Sequence, residues 1–468
     1  MKRPVLVLMT LGCALMAQPA TSVKHETALD RYVAAPDPAY KWELVDTIEG
    51  KGFKAYILDL TSQSWRSEKE VDRTLWKHWL TIIRPETVKY STGFLFITGG
   101  SNKGGPPKTP DVMLTQTALD TGAVVAELKQ VPNEPLTFSD DGRPLTEDGI
   151  IAYTWQKFLN GGDENWPLRL PMTKAAVKAM DTITAFGASP NPGNYNIRKF
   201  VVSGGSKRGW TAWTTAAVDK RVDAVVPIVI DMLNIEPNFE HHYQVYGFFA
   251  PSVKDYVERG LMDWDGTKEY RALMKIEEPY QYRDRLTMPK YIMNAAGDQF
   301  FVPDSSQYYW NDLKGEKLLR YIPNTDHSMR GSDANKSLTS YLDLILRDAK
   351  RPEYSWKVMP DGDIHVTSKE EPLEVKVWTA YNPDARDFRV EKVGRIYKDT
   401  VLQPVKKGEW IAKAPAIEKG YAAYFVELTY ATGGKYPLKV TTQVKVMPDK
   451  YPSPPYKPAK PMGTPVKK

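Results

Sequence analysis

The sequence predicts an α/β domain built on a largely parallel sheet, followed by a smaller all-β domain. Three observations predict it. From about Tyr40 to Arg347, short apolar strand-like runs alternate with stretches of helical periodicity, the pattern of a mostly parallel sheet covered by helices. Beyond Pro352 the pattern changes to short alternating runs separated by Gly, Pro and Asp turns, which fits an antiparallel sandwich. A chain of 468 residues with 42% hydrophobic and 26% charged content can also build real cores, and it exceeds a comfortable single one.

The N-terminus reads as a secretory signal over residues 1–20. Lys2 and Arg3 precede an almost wholly apolar run over 4–16, and Ala17, Gln18, Pro19 and Ala20 follow. That run is too short to span a bilayer, and no apolar stretch of about 18 residues occurs elsewhere. The single cysteine, Cys13, lies inside the segment, so the mature chain is expected to hold neither a disulfide nor a Cys nucleophile. The protein is therefore expected in the periplasm or secreted. A lipid anchor at Cys13 is the weaker alternative, because Leu11 is one place off the lipoprotein pattern. Sixty-three basic residues against 57 acidic ones make a small excess with no five-residue basic run, which argues against a dedicated nucleic-acid binder.

Residues 21–351 are assigned to the α/β domain. Strands are expected at 42–48 and 54–60 around a Gly-Lys-Gly turn, then at 76–83, 93–98 and 123–128. Further strands follow at 200–202, 222–230, 290–294 and 318–322. Helices are expected around 113–121, 171–186 and 337–347. Between about 233 and 285 the rhythm changes to aromatic-rich helices, an insertion placed as a lid between two sheet strands. Residues 352–447 supply about seven short runs, at 356–359, 365–366, 373–379, 388–393, 409–412, 421–430 and 438–446, read as an Ig-like or fibronectin-like sandwich. The break at Lys350-Arg351-Pro352 predicts that the first part folds alone. The Pro- and Lys-rich stretch 448–468 reads as a disordered tail.

The sharpest chemical signal is Val201-Val202-Ser203-Gly204-Gly205-Ser206-Lys207-Arg208-Gly209-Trp210. An apolar strand enters a Gly-rich turn with one serine, and a helix-compatible stretch follows. This is the layout of a nucleophile elbow, in which a strained turn lifts the serine hydroxyl above the sheet. The usual G-x-S-x-G is altered, with Arg208 two places after the serine and Gly209 three. A phosphate-cradling loop would instead end in Gly-Lys-Ser/Thr. Ser203 falls within the strand register and is expected to point into packing, so Ser206 is the expected nucleophile.

A base and an orienting acid should follow in the order Ser, Asp, His. His327 lies in the polar loop Asn324-Thr325-Asp326-His327-Ser328 after the last core strand and is the expected base. His241 and His242 belong to the insertion and are expected to be structural, while His25, His78 and His365 fall outside the expected position. Asp298 stands in the Gly-Asp turn directly after a buried strand, where α/β proteins place their chemistry. Asp231 also ends a core strand and is the alternative acid. Asp304 is expected as the N-cap of a helix over 305–313. Oxyanion donors are expected from the Lys207 N–H and from the loop at Gly100 and Ser101. Trp166, Trp210, Trp213, Trp264 and Trp310 flank this region. Ordinary packing is expected for most of them, with an apolar or sugar-stacking pocket as the alternative.

The elbow Gly-Gly-Ser-Lys-Arg-Gly-Trp, the loop Thr-Gly-Gly-Ser-Asn, Ala-Gly-Asp-Gln-Phe-Phe and Asn-Thr-Asp-His-Ser together resemble the PhoPQ-activated pathogenicity-related protein family, over about residues 29–447. The resemblance implies an α/β-hydrolase-like, exported protein in an envelope-stress or virulence setting. The expectation is a serine hydrolase acting on an ester or amide, its partner a small-molecule, peptide or sugar ester. No metal or organic cofactor is implied, since no ligand cluster with metal spacing occurs. The rival from another class is a non-catalytic protein that keeps the hydrolase scaffold and binds an envelope component or a host partner.

Overall fold

A computed structural model describes residues 26–189, 192–458 and 460–466; the expected signal over 1–20, with Cys13, lies outside the described residues. Nine strands form one sheet: β1 (Lys41–Gly50), β2 (Phe53–Ser64), β3 (Leu75–Pro85), β4 (Thr92–Ile97), β5 (Val125–Leu128), β6 (Lys199–Gly205), β7 (Val222–Ile228), β8 (Lys290–Ala295) and β9 (Lys317–Ile322). Their order is β1-β2-β3-β5-β4-β6-β7-β8-β9. The β1–β2, β2–β3 and β3–β5 pairs are antiparallel, and every pair from β5 onward is parallel. This is an α/β-hydrolase sheet extended by one exposed antiparallel edge strand, β1. All strands from β4 to β9 therefore end at the same edge, where chemistry in open α/β sheets collects.

The alternation of side chains sorts the sheet into two cores. In β6, Val201 joins an apolar cluster with helices α2 (Val112–Thr121) and α9 (Ala334–Leu346). Its neighbours Phe200 and Val202 join the opposite cluster with α1 (Ala28–Ala34), α3 (Glu147–Leu159), α4 (Arg169–Ala188) and α5 (Lys207–Val218). All three are fully buried, worth about 1.5–3 kcal/mol for each such side chain. Helix α2 starts where the Asp111 carboxylate accepts the Leu114 N–H at 2.9 Å and stops at Gly122, whose φ of +77° ends the helix without a Cβ penalty. The helical insertion between β7 and β8 contains α6 (Ile235–Tyr246), α7 (Lys254–Glu258) and α8 (Lys268–Glu277).

The C-terminal region consists of two antiparallel sheets. One holds β10 (Tyr354–Val358), β11 (Ile364–Ser368) and β14 (Glu409–Ala412). The other holds β12 (Glu374–Asn382), β13 (Lys398–Val401), β15 (Tyr421–Tyr430) and β16 (Leu438–Thr441), with β17 (Lys445–Met447) paired to β15. Three details differ from the sequence expectation. Residues 388–393 hold a single helical turn, Val390–Val393, instead of a strand. β13 is exposed throughout and carries no apolar alternation to betray it. The run 438–446 is split into β16 and β17.

β15 is buried along nearly its whole length, because one face meets the smaller sheet and the other meets the hydrolase sheet. Phe425 lies 6.3 Å from Tyr321 of β9 between ring centres. Glu427 pairs with Arg320, both nearly inaccessible, and the Tyr321 N–H donates to Thr441 Oγ1 at 2.8 Å. The two parts thus share a core, whereas the break at 350–352 predicts a first part that folds alone. The tail is also not a free extension. Ser453 N–H donates to the Gln244 carbonyl at 3.0 Å and Met462 N–H to Asp263 at 3.1 Å. The Tyr456 ring packs 5.0 Å from both Tyr243 and Phe249. Tyr456 thus finds aromatic partners on the insertion, while the described residues of the tail stay half-buried or exposed.

Candidate functional site

Ser206 sits between the end of β6 and the start of α5 with φ +57° and ψ −126°, a sparsely populated conformation that persists only when its surroundings hold it. Its N–H donates to the Ile228 carbonyl at 2.8 Å and its carbonyl accepts from Trp210 at 3.0 Å. The altered glycine pattern has a steric reason. A Cβ on Gly204 would lie 2.7 Å from the Arg208 carbonyl oxygen, and one on Gly209 would lie 2.8 Å from that of Gly204. The helix therefore crosses the strand end at 209, and position 208 can bear a side chain. Ser203 is fully buried and its hydroxyl donates to the Val226 carbonyl at 2.6 Å, so it is occupied in sheet packing.

At the same sheet edge, two and three strands away, the loops after β8 and β9 bring Asp298 and His327 together. His327 Nδ1 lies 2.8 Å from Asp298 Oδ2, and Asp298 Oδ1 accepts the Phe300 N–H at 2.7 Å. The His327 N–H is held by Gln299 Oε1 at 3.1 Å. With Nδ1–H donated to the carboxylate, Nε2 is left as the basic nitrogen. The ring packs on Phe300, 4.3 Å between centres. The C-terminal region braces both loops. The Gly297 carbonyl accepts the Val390 N–H at 3.0 Å, and Asn324 exchanges two hydrogen bonds with the Tyr397 backbone, at 2.8 and 2.9 Å.

The other carboxylates and histidines have separate partners. Asp231 is fully buried and accepts the hydroxyls of Tyr309 and Tyr321, each at 2.5 Å; burial pushes its pKa up to about 7, against the lowering effect of those hydroxyls. Asp304 is not a side-chain cap, a correction to its expected role. It lies between His241 Nε2 at 2.8 Å and Arg386 at 2.6 Å, a buried charge paired as burial demands. The segment after it forms two short 3₁₀ turns, Ser305–Tyr308 and Trp310–Asp312, instead of one helix. His242 is structural, its Nε2 accepting the Ala250 N–H at 2.9 Å, and burial lowers its pKa to about 3.

Lys207 opens α5, where first-turn N–H groups lack helical partners, while Gly100 (φ +128°) and Ser101 lie on the exposed loop after β4. Sequence reasoning missed what joins the two segments. Arg208 reaches across to the Val131 carbonyl at 2.5 Å and clasps Glu147 through two 2.8 Å bonds. Its guanidinium lies so close to Gly99 that a Cβ there would come within 2.2 Å of Nη2. The signal was present as the residue that broke the glycine pattern. Lys207 Nζ joins the same network, 2.6 Å from Glu147 and 3.3 Å from Asp148. The neighbouring Glu134 is pushed up to about 7 by burial and by the charge of Glu147.

A narrow pocket of about 40 Å³ lies beside Ser206 and Lys207, walled by Phe239 and Tyr256 of the insertion and by Phe300 and Phe301. Of the five tryptophans singled out above, Trp210 lines this pocket and donates to the Glu277 carbonyl at 2.6 Å. Trp166 packs against Trp65 and Phe138, and Trp310 stacks on Trp356. Trp155, not foreseen, also lines the pocket.

Residues 29–389 match the family described as PhoPQ-activated pathogenicity-related protein. Over 477 aligned residues the chain is 37% identical to autocrine proliferation repressor protein A of Dictyostelium discoideum, covering 96% of this chain and 94% of that one. Among solved structures it is similar to acetyl xylan esterase 1 from a Thermoanaerobacterium species, at 16% identity and TM-score 0.45 over 65% of this chain and 88% of that one. A glucuronoyl esterase from Solibacter usitatus is similar at 13% identity and TM-score 0.39, over 64% of this chain and 86% of that one. These two structural likenesses carry no information about what the present chain acts on.

Proposed function

This chain belongs to the PhoPQ-activated pathogenicity-related protein family, and from that premise we propose that it is an exported serine hydrolase acting on an ester or amide. The observation that carries the reading is the 2.8 Å His327–Asp298 pair, which stands on the same sheet edge as a serine in a strained strand-to-helix turn. Ser206 Oγ attacks the carbonyl carbon while His327 Nε2 takes its proton. Asp298 holds the imidazole in the productive tautomer and stabilises the imidazolium. The N–H of Lys207 and a donor from the Gly100–Ser101 loop receive the oxyanion. His327 then returns the proton to the leaving group, and water reverses the sequence to release the acid. Export rests on Lys2, Arg3 and the apolar run over 4–16.

A fluorophosphonate probe tests the reading, since it marks only an activated serine. The mature protein should label and Ser206→Ala should not. Absence of labelling beside a reactive control esterase overturns the proposal. It would favour the second reading, a non-catalytic hydrolase-fold protein that works by binding. One observation supports that alternative: the Dictyostelium relative is named for repressing proliferation and not for a reaction.

A further inference from the structure

We propose that the pocket beside Ser206 is an acyl pocket for a short, uncharged group of two to four carbons, an inference that rests on the serine hydrolase reading above. Position is the first argument. Ser206 and Lys207 both line the pocket, so a carbonyl bonded to Oγ, with its oxygen toward the Lys207 N–H, has this space beside it for its remaining substituent. Walls come from α3, the elbow, the segment after β7, the insertion and the Phe300–Phe301 loop. Such enclosure suits the group that stays covalently attached after the alcohol has left.

The chemistry of the walls is the second argument. Ile230, Met232, Ile235, Phe239 and Phe301 are apolar, and the charged groups that also line the pocket already have partners. Lys207 Nζ lies between Glu147 and Asp148, and Asp148 accepts the Tyr256 hydroxyl at 3.1 Å. The Arg169 guanidinium bonds the Lys207 carbonyl at 2.9 Å and pairs with Glu277 at 3.4 Å. A charged acyl group would enter a space with its counter-charges already engaged, at the cost of its own hydration. An aliphatic one loses nothing.

Size is the third argument. With roughly 10–15 Å³ needed for one water-sized occupant, a volume of about 40 Å³ holds about three non-hydrogen atoms beyond the carbonyl. A substituent of one to three carbons is the span from acetyl to butyryl. In the step itself, a bond forms from Oγ to the carbonyl carbon and the ester C–O bond breaks. The leaving oxygen receives the proton that His327 took from Oγ. Water then supplies hydroxyl to the carbon and a proton to His327, which restores the serine as the short acid departs.

Hydrolysis of 4-nitrophenyl acetate, butyrate and octanoate by the purified mature protein tests the inference. Each methylene in a snug apolar pocket is worth roughly 10–200-fold, so octanoate should fall at least about 50-fold below acetate in kcat/KM. Phe239→Ala, or Ile235→Ala should the first variant fold poorly, should raise octanoate relative to acetate by about tenfold or more. A protein that labels with fluorophosphonate yet shows a flat chain-length profile, or hydrolyses none of the three esters, overturns the acyl pocket alone. A protein that does not label overturns the hydrolase reading and this inference with it.

Discussion

Asp231 and Asp298 are buried carboxylates that follow neighbouring strands, yet they are solvated by the protein in opposite ways. Asp298 receives an imidazole N–H, whereas Asp231 receives two tyrosine hydroxyls. In the proposed mechanism Asp298 orients His327, and replacing such a carboxylate by an amide keeps its shape but favours the wrong imidazole tautomer, with a loss on the order of 10⁴ in turnover. Asp298→Asn is therefore expected to lose turnover nearly as fully as Ser206→Ala. Asp231→Asn and Asp304→Asn should stay within roughly tenfold, about 1.4 kcal/mol; a dead Asp231→Asn beside an active, folded Asp298→Asn would move the acid to β7. Asp231 also sets a pH dependence. A carboxyl raised to about 7 holds its proton more tightly in the folded chain than in the unfolded one, so its contribution to stability is present below about pH 4 and is lost as pH rises through 7. Glu134 and Glu278, both pushed up to about 7 chiefly by burial, act in the same direction. Thermal unfolding should shift down between pH 5 and 8, by less in Asp231→Asn; an equal shift in both proteins would remove Asp231 from that account.

At the scale of elements, the elbow and the loop after β4 are joined by one side chain. Arg208 cannot simply yield, because Glu147 and the Val131 carbonyl hold its guanidinium. A methyl group on Gly99 therefore has to displace the loop itself, and in the proposed mechanism loss of one oxyanion donor costs about 10²–10³ in turnover. Gly99→Ala should lower kcat by about 10² with little change in KM. Gly105→Ala, where an added Cβ meets nothing within 4 Å, should behave as the parent. Equal kcat values would show that Arg208 does not position the loop. The elements themselves were read with uneven success. Strands β4 to β9 were legible because both faces are buried and their residues form unbroken apolar runs. β13 was not, because Lys398, Asp399, Thr400 and Val401 are all exposed. The turn at 390–393 looked like a strand because its apolar Val390 serves a contact with Gly297, not a sheet face.

At the scale of the whole molecule, the C-terminal sheets are part of the hydrolase core and also support the site. A chain ending at Arg351 leaves Arg320 with Asp333 but without Glu427, and it uncovers the ring of Tyr321 against which Phe425 packs. It also loses the braces on the Asp298 and His327 loops. We expect that shortened chain to be insoluble or unreactive toward fluorophosphonate. One ending at Met447 keeps β1 to β17 and loses the strap over the insertion, so it should fold and label. Soluble, reactive protein from the chain ending at Arg351 would show that the shared core is dispensable.

The sequence by itself determined the strand–helix rhythm, the place of the insertion, and the serine, aspartate and histidine segments at strand ends. Those features depend on local periodicity and on turns whose sterics restrict the residues allowed. It was also enough to set Ser206 apart from Ser203, because side chains in a strand alternate. Only the tertiary structure decided which carboxylate meets His327, why Arg208 stands in the elbow, and that the two parts share a core. It also seated the Pro- and Lys-rich tail on the insertion. Each of these depends on contacts between residues far apart in the chain, such as Arg320 with Glu427 and Tyr456 with Tyr243, and no local pattern encodes such a pairing.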